Sequence, residues 1–535
     1  MADFPGHLPR GKACIPCRRR KMKCDGNKPI CNQCLRFNRP HECEFSENTT
    51  PSTARVLEQH IARLQSRIQE LEQNDPNAVK LYDPYARSQQ SAPPTQHMQW
   101  WESPEPPQRV AQTLVSYFLA HGTKIGLFFE PTQLTERMFN PTVNRPRPVL
   151  AVRNAIYLWG ISLSQDPQLQ SKESLFLSRT LISIHASLSS GLPQDTLYVL
   201  QAEILIAYYF YHKDRLLEGK FHSNAAVSLA LLCGLHKAGA EWGDVAVGRQ
   251  DLGMNLSLPA PRTSMELGQR IHAWWATFIL DKCWVVALGA PSAIVEEDDD
   301  PTSGIQIATP WPLDLVKYSE LPGLRGGATI RAFLHNLHTG VAERDPSYWT
   351  TCAKAASLYE RAVRRAAALK QGQSSQNGEM AAFDKCLDRF TRHLPTPERI
   401  NPEILHVVLL GHSLAHAAII QLHFPFADRS STSRSRCLAA ANSIIRLLHV
   451  LPVRQLPYVN PTLATIWANA AQVLVNGVIS LRSMQSAIAS SGALPGEDVL
   501  LSALAQVIQA MEHFAPSCPY MSTKLAEIRR YHNGI

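Results

Sequence analysis

Residues 13–43 read ACIPCRRRKMKCDGNKPICNQCLRFNRPHEC, with their cysteines spaced Cys14-x2-Cys17-x6-Cys24-x6-Cys31-x2-Cys34-x8-Cys43. A Cys-x2-Cys pair lets two thiolates grip one metal from a tight turn, and this stretch supplies two such pairs in a near repeat. Six thiolates cannot fill two separate tetrahedral zinc sites, which need four ligands each, so two of them must bridge. A disulfide scaffold and an iron–sulfur centre are the other uses of clustered cysteines. The first needs an oxidising compartment, and the start of the chain, MADFPGHLPRGKACIPCRRRKMK, has no apolar run of the kind a secretion signal carries.

The same stretch is basic. Residues 1–46 hold ten Lys or Arg against four acids, a net of +6 out of +8 for the 535-residue chain, so the other 489 residues carry only +2. A basic head on a nearly neutral body points to a polyanion partner for the head alone, nucleic acid above all. Six thiolates and two Zn2+ would lower the head to about +4. Ile15, Met22, Ile30, Leu35 and Phe37 are too few to form a core, so metal binding must supply the folding free energy and a chelator should unfold the head. Between Cys17 and Cys24 the run Arg18, Arg19, Arg20, Lys21, Met22, Lys23 places five cations in six positions. On a short helix over 17–24, held at both ends by thiolates, they would cover most of the exposed circumference, and such a helix fits the DNA major groove.

The string ACIPCRRRKMKCDGNKPICNQC resembles the fungal Zn2Cys6 binuclear cluster of zinc-dependent transcription factors, over about residues 13–45. The resemblance implies one metal held by Cys14, Cys17, Cys24 and Cys31 and a second by Cys14, Cys31, Cys34 and Cys43, with Cys14 and Cys31 bridging. It implies that Arg20 and Lys21 reach base edges of a CGG-type triplet, where guanine O6 and N7 accept from Arg or Lys. Arg18, Arg19, Lys23 and Arg36 are then phosphate contacts, which set affinity and its salt dependence. The resemblance further implies double-stranded DNA as the partner and the nucleus as the location.

Downstream, Leu57, Ile61, Leu64, Ile68 and Leu71 recur at 4, 3, 4 and 3, the a/d seam of a short parallel two-stranded coiled coil with Leu at d and Ile at a. Arg67 and Glu72 can pair across it. An amphipathic helix packed on its own chain is the alternative. Prolines crowd the stretch that follows, six between Pro84 and Pro107, which argues against regular structure there. Four parts result: a cluster domain over 10–46, a homodimerising helix over 55–73, a disordered Pro/Gln/Ser-rich linker over 74–107, and a body over 108–535.

The body is rich in Leu, Ala and Ile at helical spacing, and the chain as a whole reads as mostly all-α. Phe221, Ala225, Leu229 and Leu232 share one helix face, as do Ile271, Trp274, Phe278 and Val285. Loops fall near 140–148, 290–326, 371–378 and 424–433. Cys233, Cys283, Cys352, Cys386, Cys437 and Cys518 stand singly in apolar surroundings, as reduced core thiols do. No stretch reaches about 18 consecutive apolar residues, which argues against a membrane span. Segments 199–237, 268–294, 409–426 and 437–448 resemble the fungal transcription-factor regulatory domain, or middle homology region, across most of 110–530. That implies an all-helical domain receiving a co-regulator or a small-molecule effector, and no catalytic residues.

Two enzyme-like features need weighing. Gly411-His412-Ser413-Leu414-Ala415 mimics a hydrolase elbow, but an elbow needs a strand-to-helix turn and this segment reads as continuous helix. Glu296-Glu297-Asp298-Asp299-Asp300 could coordinate Mg2+, but it lies between Pro291 and Pro301 and reads as a solvated loop. With the two resemblances, the expectation is a DNA-binding regulator of RNA polymerase II genes that is no enzyme. The alternative is a helical enzyme or metabolite-binding protein with an appended zinc module.

Overall fold

The computed structural model describes residues 12–45, 61–63, 65–66, 99–143, 146–239, 258–296, 304–320, 329–340, 347–371, 377–396, 404–488 and 496–532. The chain divides into two units, Met1–Gln96 and His97–Ile535. Among the described residues there is no β-strand, as the apolar periodicity implied, and an isolated β-bridge pairs Glu296 with Ile305.

In the first unit, helices α1 (Ile15–Arg19) and α2 (Asn32–Arg36) are followed by a 3-10 turn, Pro40–Glu42. The second unit opens with α3 (Gln108–Leu119), α4 (Pro131–Phe139), α5 (Leu150–Leu163), α6 (Pro167–Gln170), α7 (Glu173–Ser190), α8 (Thr196–His212), α9 (Leu216–Leu232) and α10 (Ser264–Leu288). It continues through α11 (Thr329–Thr339), α12 (Tyr348–Lys370), α13 (Asn377–Arg392), α14 (Leu405–His423), α15 (Ser431–Val450), α16 (Thr462–Ile488), α17 (Glu497–Phe514) and α18 (Pro519–His532). One hydrophobic core runs from Ala111 to Ile528. Its inner layer is α8, α10, α12, α14 and α16, packed against one another and covered by the rest.

Helices α8 and α14 are apolar nearly all round because nearly every side is covered, whereas α12 ends in a charged stretch with Arg364 and Lys370 exposed. Three stretches, Ser264–Leu288, Leu405–Phe426 and Thr462–Ser483, are long and apolar enough to cross a membrane by length and composition, and 78%, 83% and 78% of their most apolar windows lie buried inside the unit. Local signals fix their ends. Thr263 accepts the Glu266 amide at the start of α10, and Gly289, at φ 62, closes its other end with Ala290 N–H donating to Val285 O at 2.9 Å.

Two expectations are corrected. Helix α9 exists, but Phe221 and Leu232 are 68% and 55% exposed, and the buried face is Gly219, His222, Ser223, Ala226, Val227 and Ala230. The bulky α8 requires close approach: a Cβ at Gly219 would lie 2.5 Å from the Tyr211 ring. Small side chains therefore face inward and the larger apolar ones point out. The set Ile271, Trp274, Phe278 and Val285 is buried as its spacing indicated.

The linker also ends earlier than 107. Residues 99–107 are docked: Trp100 lies 6.1 Å from Phe176, Lys172 Nζ sits 3.8 Å over the Trp101 ring, Arg179 donates to Trp101 O, and Glu105 pairs with Arg147 and Arg153. Tryptophan burial and a cation–π contact outweigh the low helix propensity of the prolines, which need no helix to pack. A chain beginning at Gln108 should thus be less stable than one beginning at His97, by about 2 kcal/mol or more. Chemical denaturation of the two chains measures this, and equal midpoints would show that the docked segment stabilises nothing.

Candidate metal centre and nucleic-acid interface

The two halves of the first unit are built alike, seventeen residues apart. Each helix begins on a cysteine, Cys14 or Cys31, with a second cysteine, Cys17 or Cys34, in its first turn. Each ends on a left-handed residue, Lys21 at φ 51 or Asn38 at φ 53. Met22 N–H donates to Cys17 O and Arg39 N–H to Cys34 O, both at 2.9 Å, while Lys21 N–H and Asn38 N–H reach back to Arg18 O and Leu35 O. This is the Schellman closure in both halves.

These turns bring the sulfurs together. Cys14, Cys17, Cys24 and Cys31 form one group and Cys14, Cys31, Cys34 and Cys43 another, with all ligand atoms of a group within 4.8 Å. Cys14 Sγ lies 3.7 Å from Cys31 Sγ and 3.8 Å from those of Cys24 and Cys34. A sulfur tetrahedron about 2.3 Å from a central zinc has edges of about 3.8 Å, so the donor set has the right size. Cys14 and Cys31 belong to both groups, the sharing that the ligand count demands.

The chemistry of the donors points the same way. Burial pushes the Cys34 thiol up to about 12 and raises Cys14 strongly, while at Cys31 the Cys34 amide, donating at 3.4 Å, and neighbouring thiols overcome burial and hold it at about 6. Sulfurs this close oppose one another's ionisation, and a divalent cation removes the conflict. Burial also pushes the body thiols Cys233, Cys352, Cys437 and Cys518 up to about 11, 12, 12 and 11, but among the described residues none of them belongs to a four-sulfur group. They are inert core groups.

The basic run departs from the expected helix over 17–24. Helix α1 stops at Arg19, Arg20 caps it, Lys21 is left-handed, and residues 22–27 are irregular. A continued helix would carry Cys24 away from Cys14, and the turn at Lys21 brings it back. Arg18, Arg19, Arg20, Lys21 and Lys23 are all exposed, fanned along a helix end and a turn. One contact that spacing does not reveal is Glu42, whose Oε2 lies 3.6 Å from Arg20 Nη2 and 3.8 Å from Arg39 Nη1.

Elsewhere the sites divide. Ile61 is helical and 54% exposed, while Leu57, Leu64, Ile68 and Leu71 lie outside the described residues. Ser413 is buried in the middle of α14, with no strand before it, so it forms no elbow. Glu296 is 2% exposed and paired with Lys282 and Arg361, which corrects the solvated-loop reading at that position; 297–300 lie outside the described residues. Ser433, His423 and Asp384 form a hydrogen-bonded chain, at 3.2 and 3.0 Å. Ser433 and His423 are buried, and Arg436 also holds Asp384, so the chain ties α13, α14 and α15 together.

Residues 12–52 match the fungal Zn(2)-Cys(6) binuclear cluster domain and residues 114–301 match the fungal specific transcription factor domain, so the chain carries both. The cluster domain binds two zinc ions. The second match ends at residue 301, short of the 110–530 over which the body resembles a regulatory domain. Among curated relatives, a transcriptional regulatory protein of Saccharomyces cerevisiae is 59% identical over 34 residues, 6% of this chain and 5% of that one. The transcription regulator galc of Aspergillus niger is 34% identical over 88 residues, 16% of this chain and 10% of its own. A Zn(2)-C6 fungal-type transcription factor of Fusarium oxysporum f. sp. lycopersici is 38% identical over 61 residues, 10% of this chain and 6% of its own. Each match thus spans a tenth or less of the relative's length. No solved structure matches the chain.

Proposed function

We propose that this protein is a nuclear, sequence-specific DNA-binding regulator of RNA polymerase II genes. The observation that carries the reading is the pair of four-sulfur groups sharing Cys14 and Cys31, with five exposed cations on the turn between Cys17 and Cys24. Zinc supplies the folding free energy of a unit with little apolar core. The six cysteines hold it, and so fix α1 and the turn at Lys21. Arg20 and Lys21 then reach guanine edges of a CGG-type triplet, and Arg18, Arg19, Lys23 and Arg36 bind phosphates.

The helix over 55–73 joins two copies, so that two half-sites are read together. The helical unit, from residue 99 on, is the regulatory part, receiving a co-regulator or a small-molecule effector. The names of the similar transcription regulators support the class.

The zinc-loaded full-length protein is expected to bind a duplex with two CGG half-sites about a thousandfold more tightly than a scrambled duplex at moderate salt. Arg19→Gln should weaken both and lower the slope of log affinity against log salt by about 0.9. Equal affinity of the wild-type protein for the two duplexes would overturn the reading.

A further inference from the structure

The two halves of the cluster unit differ in the length of chain before their last cysteine. Cys17 and Cys24 are separated by x6, Cys34 and Cys43 by x8, and the longer spacing accommodates the 3-10 turn Pro40–Glu42. Within this turn Glu42 N–H donates to Arg39 O at 3.3 Å and Cys43 N–H to Pro40 O at 3.2 Å. The turn thus hangs from the last cluster cysteine, and it carries Glu42 across to the first half, against Arg20. Arg39, which follows the left-handed Asn38 just as Met22 follows Lys21, flanks the carboxylate from its own half.

The placement has a chemical meaning. A guanidinium has five N–H donors in a flat fork, and a bidentate contact to guanine O6 and N7 uses one edge of it. The remaining donors can hold a carboxylate at the same time. The carboxylate, an ion-pair partner at 3.6 Å, draws the guanidinium to one side of its range, and its charge opposes the approach of a phosphate. An acid in a field of cations on a DNA-facing surface lowers affinity for backbone alone, while it stabilises one orientation of the cation that reads the base.

We infer that Glu42 is a positioning residue for base recognition: it buttresses Arg20 for the guanine edge and suppresses contacts that carry no sequence information. The inference rests on the proposed reading of CGG by Arg20. It adds that the second half of the cluster serves recognition through this acid, and it predicts opposite effects on two kinds of DNA.

In the zinc-loaded full-length protein, Glu42→Gln should weaken binding to the CGG duplex, strengthen binding to a scrambled duplex, and steepen the salt dependence of the latter, cutting discrimination about tenfold. Equal gains on both duplexes would make Glu42 a simple repulsive charge, and no change on either would make its contact with Arg20 incidental. Both results overturn the inference while the wild-type protein still discriminates. A wild-type protein that fails to discriminate removes the DNA reading itself, and the role of Glu42 with it. Zinc content, measured beside binding, separates lost recognition from lost folding. Should Glu42→Gln lower it, Arg20→Lys tests the contact from the other side. An ammonium cannot fork between carboxylate and base, so discrimination should fall to the same level. Retained discrimination in a zinc-replete Arg20→Lys protein overturns the inference.

Discussion

Replacing Cys31 with alanine is expected to abolish both metal sites and reduce affinity for CGG-containing DNA by about a thousandfold, to the level of non-specific binding or below. Cys31 Sγ lies 3.7 Å from Cys14 Sγ and 3.8 Å from Cys17 Sγ, and it belongs to both sulfur groups. It is also the residue on which α2 begins, accepting the Cys34 amide. Removing it takes one ligand from each of two sites and a cap from a five-residue helix. Among the described residues of the unit the buried apolar ones are the cysteines themselves, with Ile30 and Phe45 packed against them. Structural zinc contributes about 10–16 kcal/mol in comparable peptides, far more than such a core could replace.

Cys17 and Cys43 each belong to one group, so their alanine variants should keep more metal than the Cys31 variant. Zinc released per chain, read with a chromogenic chelator, ranks the three. A Cys31→Ala protein that retains two zinc ions per chain would contradict the shared-ligand arrangement.

The cluster was legible in the sequence because its geometry is local. Two tight turns place four of its sulfurs, and the turns are encoded by Cys-x2-Cys spacing whatever lies around them. The same locality explains why spacing alone extends α1 past its true end at Arg19. Spacing counts residues between Cys17 and Cys24 but does not say where the chain reverses, and the left-handed Lys21 has no sequence mark of the kind glycine gives. Long-range placements were the ones hidden. Glu42 meets Arg20 across 22 positions, and the docked Trp100 and Trp101 meet Phe176 and Lys172 across more than 70. In α9 the apolar period was real, but small residues won the inward face because α8 must come close. Periodicity identifies a face and leaves its partner undetermined.

Glu296 is the clearest such case, and it leads to the second large expected effect. Lys282→Met should destabilise the helical unit by about 3–5 kcal/mol. Lys282 Nζ is held in α10 by Ile294 O at 2.7 Å and Ser292 Oγ at 3.2 Å, and it lies 3.2 Å from Glu296 Oε1 and 3.6 Å from Glu360 Oε2. All three charged groups are under 5% exposed. Next to it Asp281 accepts from Ser292 Oγ at 2.6 Å and from Ile294 N–H at 3.3 Å, so two consecutive α10 residues of opposite charge clamp the returning chain at 292–296.

Methionine matches the stem of lysine closely, so packing changes little and the loss is electrostatic. Glu296 would keep Arg361 and Glu360 would keep Arg364, but both buried carboxylates would lose the cation between them, and breaking a buried charge network by removing one partner costs several kcal/mol. The double variant Lys282→Met/Glu296→Gln removes one charge of each sign, and it should therefore recover a substantial part of the loss. That coupling, obtained from denaturant midpoints of wild-type, single and double variants, isolates the ion pair from the packing. A loss below about 1 kcal/mol for Lys282→Met, the scale of an exposed pair, would mean that water reaches these charges. An additive result in the cycle would remove the energetic basis for treating Glu296 as part of the core.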